Sequence, residues 1–286
     1  MVFVDLSAVL LSNLFAQLGQ SIKQKKKDLI SEDFLRHMTL NSLRGYNVKF
    51  SYKYGRLILC ADNRTYWRKT IFPYYKANRK KTREDSGLDW KFILNTLNKI
   101  TTELEDNLPY QVLDVPGAEA DDIIGTLAKN QHLVEKNIIL SVDKDFLQLL
   151  KYPNTQQYSP RDRTFLTIDD PIKTKKIHIM RGDIGDGIPN FLSPDDCLVS
   201  GKRQTSLRND KLDVWVDMEP EAFCTTQMLV GFKRNETLID LDKIPKEIQK
   251  NIIDAFNGPF NSNRGNIFGY LVKYRMKNLM EHINEF

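Results

Sequence analysis

An α/β fold is predicted, with a mainly parallel central sheet flanked by helices, a helical arch and a helical C-terminal region. Through about the first 160 residues, short apolar runs of strand character alternate with segments of helical spacing, and three of these runs end directly in an acid. Such alternation gives parallel strands joined by crossover helices, with both faces of the sheet covered. The composition fits a globular chain: 286 residues, 41% hydrophobic and 28% charged, with 14 Gly and 11 Pro, which excludes disorder and collagen-like repeats. No run reaches the ~18 apolar residues of a membrane span.

Val2-Phe3-Val4 is the first strand, ending at Asp5, and Ala8, Val9, Leu10, Leu14 and Phe15 follow at helical spacing. Ser31 is a candidate N-cap for a helix over 31–50 carrying Leu35, Met38 and Leu43. Leu57-Ile58-Leu59-Cys60-Ala61 is the next strand and ends at Asp62. A helix over 88–107, a strand at 110–113 and a helix over 118–130, opening after Pro116-Gly117, come next. The strand 137–142 then ends at Asp143. Beyond about residue 160 strand signals fade, and helices are expected at 169–181, 219–233, 243–256 and 266–283. The expected organisation is an α/β core over 1–180, with a basic arch at about 64–85, and a helical region over 181–286.

Cys60, Cys197 and Cys224 are odd in number and widely spaced, so free thiols in a reducing compartment are expected rather than a zinc knuckle. Asp5 interrupts the apolar opening and no basic lead-in precedes it, against a signal peptide. The cytoplasm is the expected location.

Nine carboxylates stand at or near strand ends: Asp5; Asp62; Glu119, Asp121 and Asp122; Asp143 and Asp145; Asp183 and Asp186. Any one Asp after a strand is an ordinary turn former or helix cap. Together they lie where open α/β sheets bind ligands, beyond the carboxyl ends of the strands. So many anions in one cleft would repel strongly unless cations joined them. All-oxygen donors fit Mg²⁺ or Mn²⁺ and disfavour zinc. Two such ions about 4 Å apart would activate water and stabilise the leaving oxygen in phosphodiester hydrolysis. Other carboxylate motifs fit less well, since Ser7 stands where an Asp-nucleophile phosphatase needs its second Asp, and Pro194 stands where an EF-hand starting at Asp183 needs Glu.

The net charge of +5 is unevenly placed. Residues 63–83 contain no acid and eight cations, Arg64, Arg68, Lys69, Lys76, Arg79, Lys80, Lys81 and Arg83; about three would be expected by proportion. Tyr66, Trp67, Phe72, Tyr74 and Tyr75 are interleaved with them. Cations gripping a phosphate backbone while rings meet bases is a nucleic-acid pattern, although some of the rings are expected in the core. The clusters Lys23 to Lys27 and Lys173 to Lys176 are weaker and read as solvated faces.

Read in order, Val4-Asp5-Leu6-Ser7, Asp62-Asn63, Tyr75-Lys76-Ala77-Asn78-Arg79, Glu119-Ala120-Asp121-Asp122, Ser141-Val142-Asp143-Lys144-Asp145-Phe146 and Gly182-Asp183-Ile184-Gly185-Asp186-Gly187-Ile188-Pro189 resemble the flap-endonuclease or 5′-nuclease (PIN-like) superfamily, and within it the T-even-type phage ribonuclease H group. The resemblance spans nearly the whole chain and includes the closing Ile283-Asn284-Glu285-Phe286. It implies a metal-dependent 5′ to 3′ exonuclease and flap endonuclease that removes lagging-strand RNA primers in phage DNA replication, acting as a monomer in the bacterial host cytoplasm. Asp5, Asp62, Glu119 and Asp121 would surround a first Mg²⁺, with Asp122 helping directly or through water. Asp143, Asp145, Asp183 and Asp186 would hold a second. Lys76 and Arg79 match the arch lysine and arginine that face the scissile phosphate. The implied partners are RNA:DNA hybrids, duplex or flapped DNA with 5′ ends, and a single-stranded-DNA-binding protein or sliding clamp; Arg64, Arg68, Lys69, Tyr75, Lys80, Lys81 and Arg83 are the expected contacts.

One departure concerns the helix-hairpin-helix that family members use to grip duplex with a potassium ion. Its glycine pair is missing from Asn190-Phe191-Leu192-Ser193-Pro194-Asp195-Asp196-Cys197 and from Ser200-Gly201-Lys202-Arg203. Lys202, Arg203 and Arg208 are the expected duplex contacts there instead. The alternatives are a PIN-type ribonuclease cutting single-stranded RNA, against which the arch and the helical C-terminal half argue, and a non-catalytic nucleic-acid-binding replication protein.

Overall fold

The computed structural model describes residues 1–23, 31–260, 262 and 264–286. The basic cluster at Lys23 to Lys27 lies outside the described side chains. Strand β1 (Val2–Asp5) leads through α1 (Leu6–Lys23) and α2 (Glu32–Tyr54) to β2 (Leu57–Ala61). The Ser31 hydroxyl caps α2 by accepting from the Phe34 amide at 3.2 Å. The arch region follows as α3 (Trp67–Ile71), an irregular turn and α4 (Arg79–Asp85). The core continues with α5 (Trp90–Asn107), β3 (Gln111–Asp114), α6 (Ala120–Gln131), β4 (Asn137–Leu140) and a 3₁₀ segment, Lys144–Lys151.

The sheet order is β3-β2-β1-β4, extended by β5 (Thr155–Ser159) and β6 (Thr164–Leu166); all neighbours are parallel except β5 and β6. The chain runs outward from β1 on one side and returns to its other side at β4, so β1 is where the strand order reverses. Asp5 therefore ends its strand between the ends of β2 and β4, at the crevice such a reversal opens. β5 and β6 were not expected. Thr155-Gln156-Gln157-Tyr158-Ser159 has no apolar run, yet it pairs fully with β4. Buried Gln157 donates to the carbonyls of Ser141 and Asp143 at 3.0 and 2.6 Å, anchoring the acid-bearing loop after β4.

Period-two alternation splits the strand side chains between the faces. Val2, Val4, Leu57, Leu59, Ile138 and Leu140 pack on α1, α2 and α5. Phe3, Ile58, Cys60 and Ile139 pack on α6. Past the sheet come α7 (Pro171–Arg181), α8 (Asn209–Trp215), α9 (Pro220–Phe223), α10 (Thr226–Ile239), α11 (Lys246–Asn257), α12 (Gly265–Lys273) and α13 (Lys277–Met280). The helix expected over 219–233 is interrupted at Cys224, after which the Thr225 hydroxyl accepts from the Met228 amide at 3.3 Å and starts α10. The helix expected over 266–283 breaks at Arg275, whose φ of 54° is left-handed.

The segment beyond residue 180 serves three places. Ile188, Phe191, Leu212, Phe232 and Leu238 form a separate cluster with Phe72 and Tyr75 at the foot of the arch. Leu241, Ile244, Ile252 and Phe256 join the α6 face of the sheet, while Ile267, Tyr270, Leu271 and Leu279 join the opposite face. Cys60 and Cys197 are buried and Cys224 half-buried, all as free thiols. Among the described residues no helix is long and apolar enough to cross a membrane.

Candidate active site

The acids reach the crevice from different elements, each fixed by local backbone chemistry. Asp5 accepts from the Ala8 amide at 2.9 Å, capping α1 at the end of its own strand. Asp62, just past β2, accepts from the Ala120 amide at 2.9 Å and so ties β2 to the first turn of α6. Asp143 accepts from the Asp145 amide at 3.0 Å, which turns both acids after β4. Asp183 accepts from the Asp186 amide at 3.2 Å inside the turn after α7.

Their electrostatics show that they share one space. Burial, then the charge of Asp62, raises the Asp5 carboxyl to about 7. Burial, then Asp143, raises Asp145 to about 7. Asp121 is pushed well above its ordinary value by burial and then by Asp143, with Asp5 and Asp145 adding to it. Asp145 also feels Asp186 and Asp183. Acids from residues 5 to 186 thus repel one another through a common low-dielectric pocket, an environment that favours cations. The Asp145 Oδ1 atom is buried with no hydrogen-bond partner among the described residues. An oxygen-rich donor set with a buried carboxylate oxygen that accepts no well-aligned hydrogen bond fits divalent metal ions.

Lys76 and Arg79 project from the arch onto these acids. The Lys76 ammonium lies 2.5 Å from Glu119 Oε1 and 3.7 Å from Asp186 Oδ2. Arg79 Nη2 lies 2.5 Å from Asp186 Oδ1. Burial works against the Lys76 charge, but Asp186 and Glu119 outweigh it and hold the ammonium well above its ordinary range. The Lys76 backbone, at φ 56°, donates to the Asp186 carbonyl at 2.7 Å. The arch foot and the last acidic turn are therefore stitched together. Gly187, at φ 73°, permits this approach, since a Cβ there would meet the Tyr74 carbonyl oxygen at 2.7 Å.

Three expectations change. Arg68 is buried and cannot meet nucleic acid: its guanidinium lies 2.9 Å from Glu119 and 2.8 Å from Asp122, and donates to the Leu238 carbonyl at 2.8 Å. Tyr75 is also buried, its hydroxyl donating within reach of Glu119 at 3.1 Å and Asp186 at 2.9 Å. Asp122 is fully buried, and its oxygens face Arg68, the Trp67 indole N–H at 3.0 Å and the Glu119 amide at 3.0 Å, so it braces Glu119 from behind rather than facing the cleft. The other expected contacts keep an open face. Arg64, Lys69, Lys80 and Lys81 are exposed, Arg83 is half-buried over the Trp90 ring, and Lys202 and Arg203 are exposed, with Lys202 3.1 Å from Asp196.

An imidazole also enters the acid cluster, where the sequence leads one to expect oxygen donors alone. His178, on α7, has Nδ1 3.2 Å from Asp145 and Nε2 3.2 Å from Asp183. Lys144 Nζ is 3.1 Å from the same Asp183. Burial opposes it, but the His178 hydrogen bond and Lys144 together hold the Asp183 carboxyl far below its ordinary range. Within Lys173-Thr174-Lys175-Lys176-Ile177-His178 the residue reads as one more solvated position; its only signal is its place five residues before Asp183, across the Gly182 turn.

A cleft of about 440 Å³ runs from Asp62 and Glu119 beneath Lys76, Arg79 and Arg83, with Leu10, Leu11, Leu94 and Leu97 on its other wall. A larger cavity of about 580 Å³ lies between α7, α9 and α10, away from the acids. Its Lys173 and Lys175 are paired with Asp217 and Asp240.

Residues 2–177 match the family model of the 5′-3′ exonuclease N-terminal resolvase-like domain, and residues 171–286 match that of the T4 RNase H C-terminal region. The chain is 35% identical over 275 residues to ribonuclease H of Enterobacteria phage T4, covering 91% of this chain and 89% of that protein. It is 36% identical over 134 residues to the flap endonuclease Xni of Shewanella pealeana, covering 43% and 48% of the two chains. The bacteriophage T5 5′-exonuclease with bound divalent zinc ions has a similar fold, with a TM-score of 0.57 at 18% identity, covering 90% of this chain and 98% of the other. So does the bacteriophage T5 flap endonuclease in a pseudo-enzyme–product complex with DNA and metal ions, with a TM-score of 0.58 at 16% identity, covering 99% and 98%. The chain belongs to the 5′-3′ exonuclease family and is a 5′-nuclease of the ribonuclease H and flap endonuclease type.

Proposed function

We propose that this nuclease hydrolyses phosphodiester bonds near 5′ ends in RNA:DNA and DNA:DNA duplexes and in flapped DNA, using two Mg²⁺ ions, for which Mn²⁺ substitutes. Its biological task on this reading is removal of lagging-strand RNA primers in the cytoplasm of a bacterial host during phage replication. The observation that carries it is the meeting of acids from residues 5 to 186 beneath Lys76 and Arg79. Asp5, Asp62, Glu119 and Asp121 would hold one ion, and Asp143, Asp145, Asp183 and Asp186 the other. Bound there, the ions would supply an activated water and Lewis-acid stabilisation of the leaving oxygen.

The chain's own groups do the rest. Lys76 and Arg79, engaged with Glu119 and Asp186, are placed to turn to the scissile phosphate and offset the charge that develops there. Arg64, Lys69, Lys80, Lys81 and Arg83 would hold the strand passing the arch, and Lys202, Arg203 and Arg208 the adjoining duplex, acting together with a single-stranded-DNA-binding protein or sliding clamp. The test compares a 5′-labelled flap with an RNA-primed duplex, in Mg²⁺ and in chelator. Asp62→Asn and Asp145→Asn should abolish cleavage of both while leaving DNA affinity within a few-fold; full turnover in either variant would overturn the assignment.

A further inference from the structure

The last turn of α10 ends inside the protein, and a helix end leaves its final carbonyls without intrahelical partners. Two buried side chains take them. Arg68 Nε donates to the Leu238 carbonyl at 2.8 Å, and Gln148 Nε2 donates to the Ile239 carbonyl at 3.0 Å. Each of these side chains also holds an acid-bearing segment. Arg68 grips Glu119, while Gln148 donates its second hydrogen to the Asp145 carbonyl at 2.9 Å and accepts from the Leu241 amide at 2.9 Å. Asn235, one turn earlier on α10 and fully buried, donates to the carbonyls of Ile179 and Pro189 at 2.8 and 2.9 Å, on either side of the turn that carries Asp183 and Asp186. Three stretches of chain that bear the clustered acids are thus tied to one short piece of backbone, 235–241.

Resting on the proposed two-metal nuclease, we infer that Gln148 and Asn235 are positioning residues, which use the end of α10 as a common anchor to set the spacing between the acid pairs Asp143/Asp145 and Asp183/Asp186. Like charges gathered in one pocket push their segments apart, and a reacting constellation must be held within about 0.5 Å of its productive geometry. The contacts that Lys76, Arg79, Lys144 and His178 make with the acids are poorly suited to this, because they occupy the same carboxylate oxygens that divalent ions need. The amides of Gln148 and Asn235 donate to backbone carbonyls alone and leave every carboxylate oxygen free. Their hold is therefore independent of what occupies the pocket.

The test uses the full-length protein. Gln148→Met and Asn235→Leu keep side-chain size and delete the hydrogen bonds. Mn²⁺ binding without DNA, followed by the electron paramagnetic resonance signal of free Mn²⁺, should weaken about tenfold in each, and flap cleavage in Mg²⁺ should lose kcat with KM nearly unchanged. Leu271→Ala, in the core on the sheet face away from α6, should lower Tm without either effect. Wild type supplies a measurement that needs no variant to fold. Because coupling is reciprocal, Mg²⁺ should slow hydrogen exchange of the Leu241 amide, which Gln148 holds, more than that of amides in α12; should neither variant fold, this comparison alone decides. Unchanged Mn²⁺ affinity in either folded variant, an equal loss in Leu271→Ala, or equal gains in protection at Leu241 and in α12 overturns the inference. Wild-type turnover with unaffected variants removes only the positioning role, whereas wild type that neither binds Mn²⁺ nor cleaves removes the nuclease site along with it.

Discussion

Lys76 is a non-glycine residue in a left-handed conformation, pinned by its amide to Asp186 and by its ammonium to Glu119. Backbone strain of this sort persists where surrounding contacts over-determine it, and here it aims one cation at the acids. Lys76→Ala should slow single-turnover cleavage by about 10²–10³-fold, the usual loss for a donor that stabilises transition-state charge, with little change in substrate Kd; equal losses in both would remove the catalytic role. Arg68 makes the opposite case. Arg68→Ala leaves Glu119 and Asp122 buried without their counter-charge and should cost about 3–5 kcal/mol in urea unfolding. In folded protein it should leave the salt dependence of DNA binding unchanged, whereas Lys69→Ala or Lys80→Ala should reduce that slope by about 1. The difference between these cations was not legible in the sequence, because local density records how many charges a segment has and not which way each side chain points. The acids were legible, since an apolar strand fixes where its last residue emerges. His178 was hidden by its lysine-rich surroundings.

Among the elements, those with an apolar run or a strict helical period were readable, and the sheet from β1 to β4 follows from them. β5 and β6 escaped because one is built from polar residues that bury hydrogen-bonded side chains and the other is a short edge; neither carries a hydrophobic pattern. The arch was recognisable from composition, but its attachment to the turn after α7 was not, being a contact between segments about a hundred residues apart. That attachment predicts a specific weakness. Gly187→Ala places a methyl group against the Tyr74 carbonyl in a backbone region that disfavours it, and should cost about 1–2 kcal/mol while displacing Lys76. A lower Tm together with a fall in kcat larger than the rise in KM would show it; unaltered kcat would mean that the arch keeps its aim without this contact.

For the whole molecule, the clustered acids trade stability for binding capacity. Asp5 and Asp145 rise from an ordinary value of 3.8 to about 7, so the folded protein holds protons there that the unfolded chain has released. Their contribution to stability is therefore fully present below about pH 4, declines as pH rises toward 7 and levels off above it. Denaturation in chelator should follow that course once other groups are accounted for with a double Asp5→Asn, Asp145→Asn variant. Added Mg²⁺ should raise Tm more at pH 8 than at pH 6, because at the lower pH protons compete for the same oxygens; an equal gain at both would contradict the shared pocket. The sheet order carries one more implication, for the nascent chain. β1 is made first, yet its second neighbour is β4, and the acids that complete its pocket extend to Asp186. A polypeptide interrupted on the ribosome before that turn emerges lacks Asp183 and Asp186, and with them the contacts that hold Lys76 and Arg79 over the pocket, so a half-translated copy carries an incomplete acid cluster into a cell full of nucleic acid.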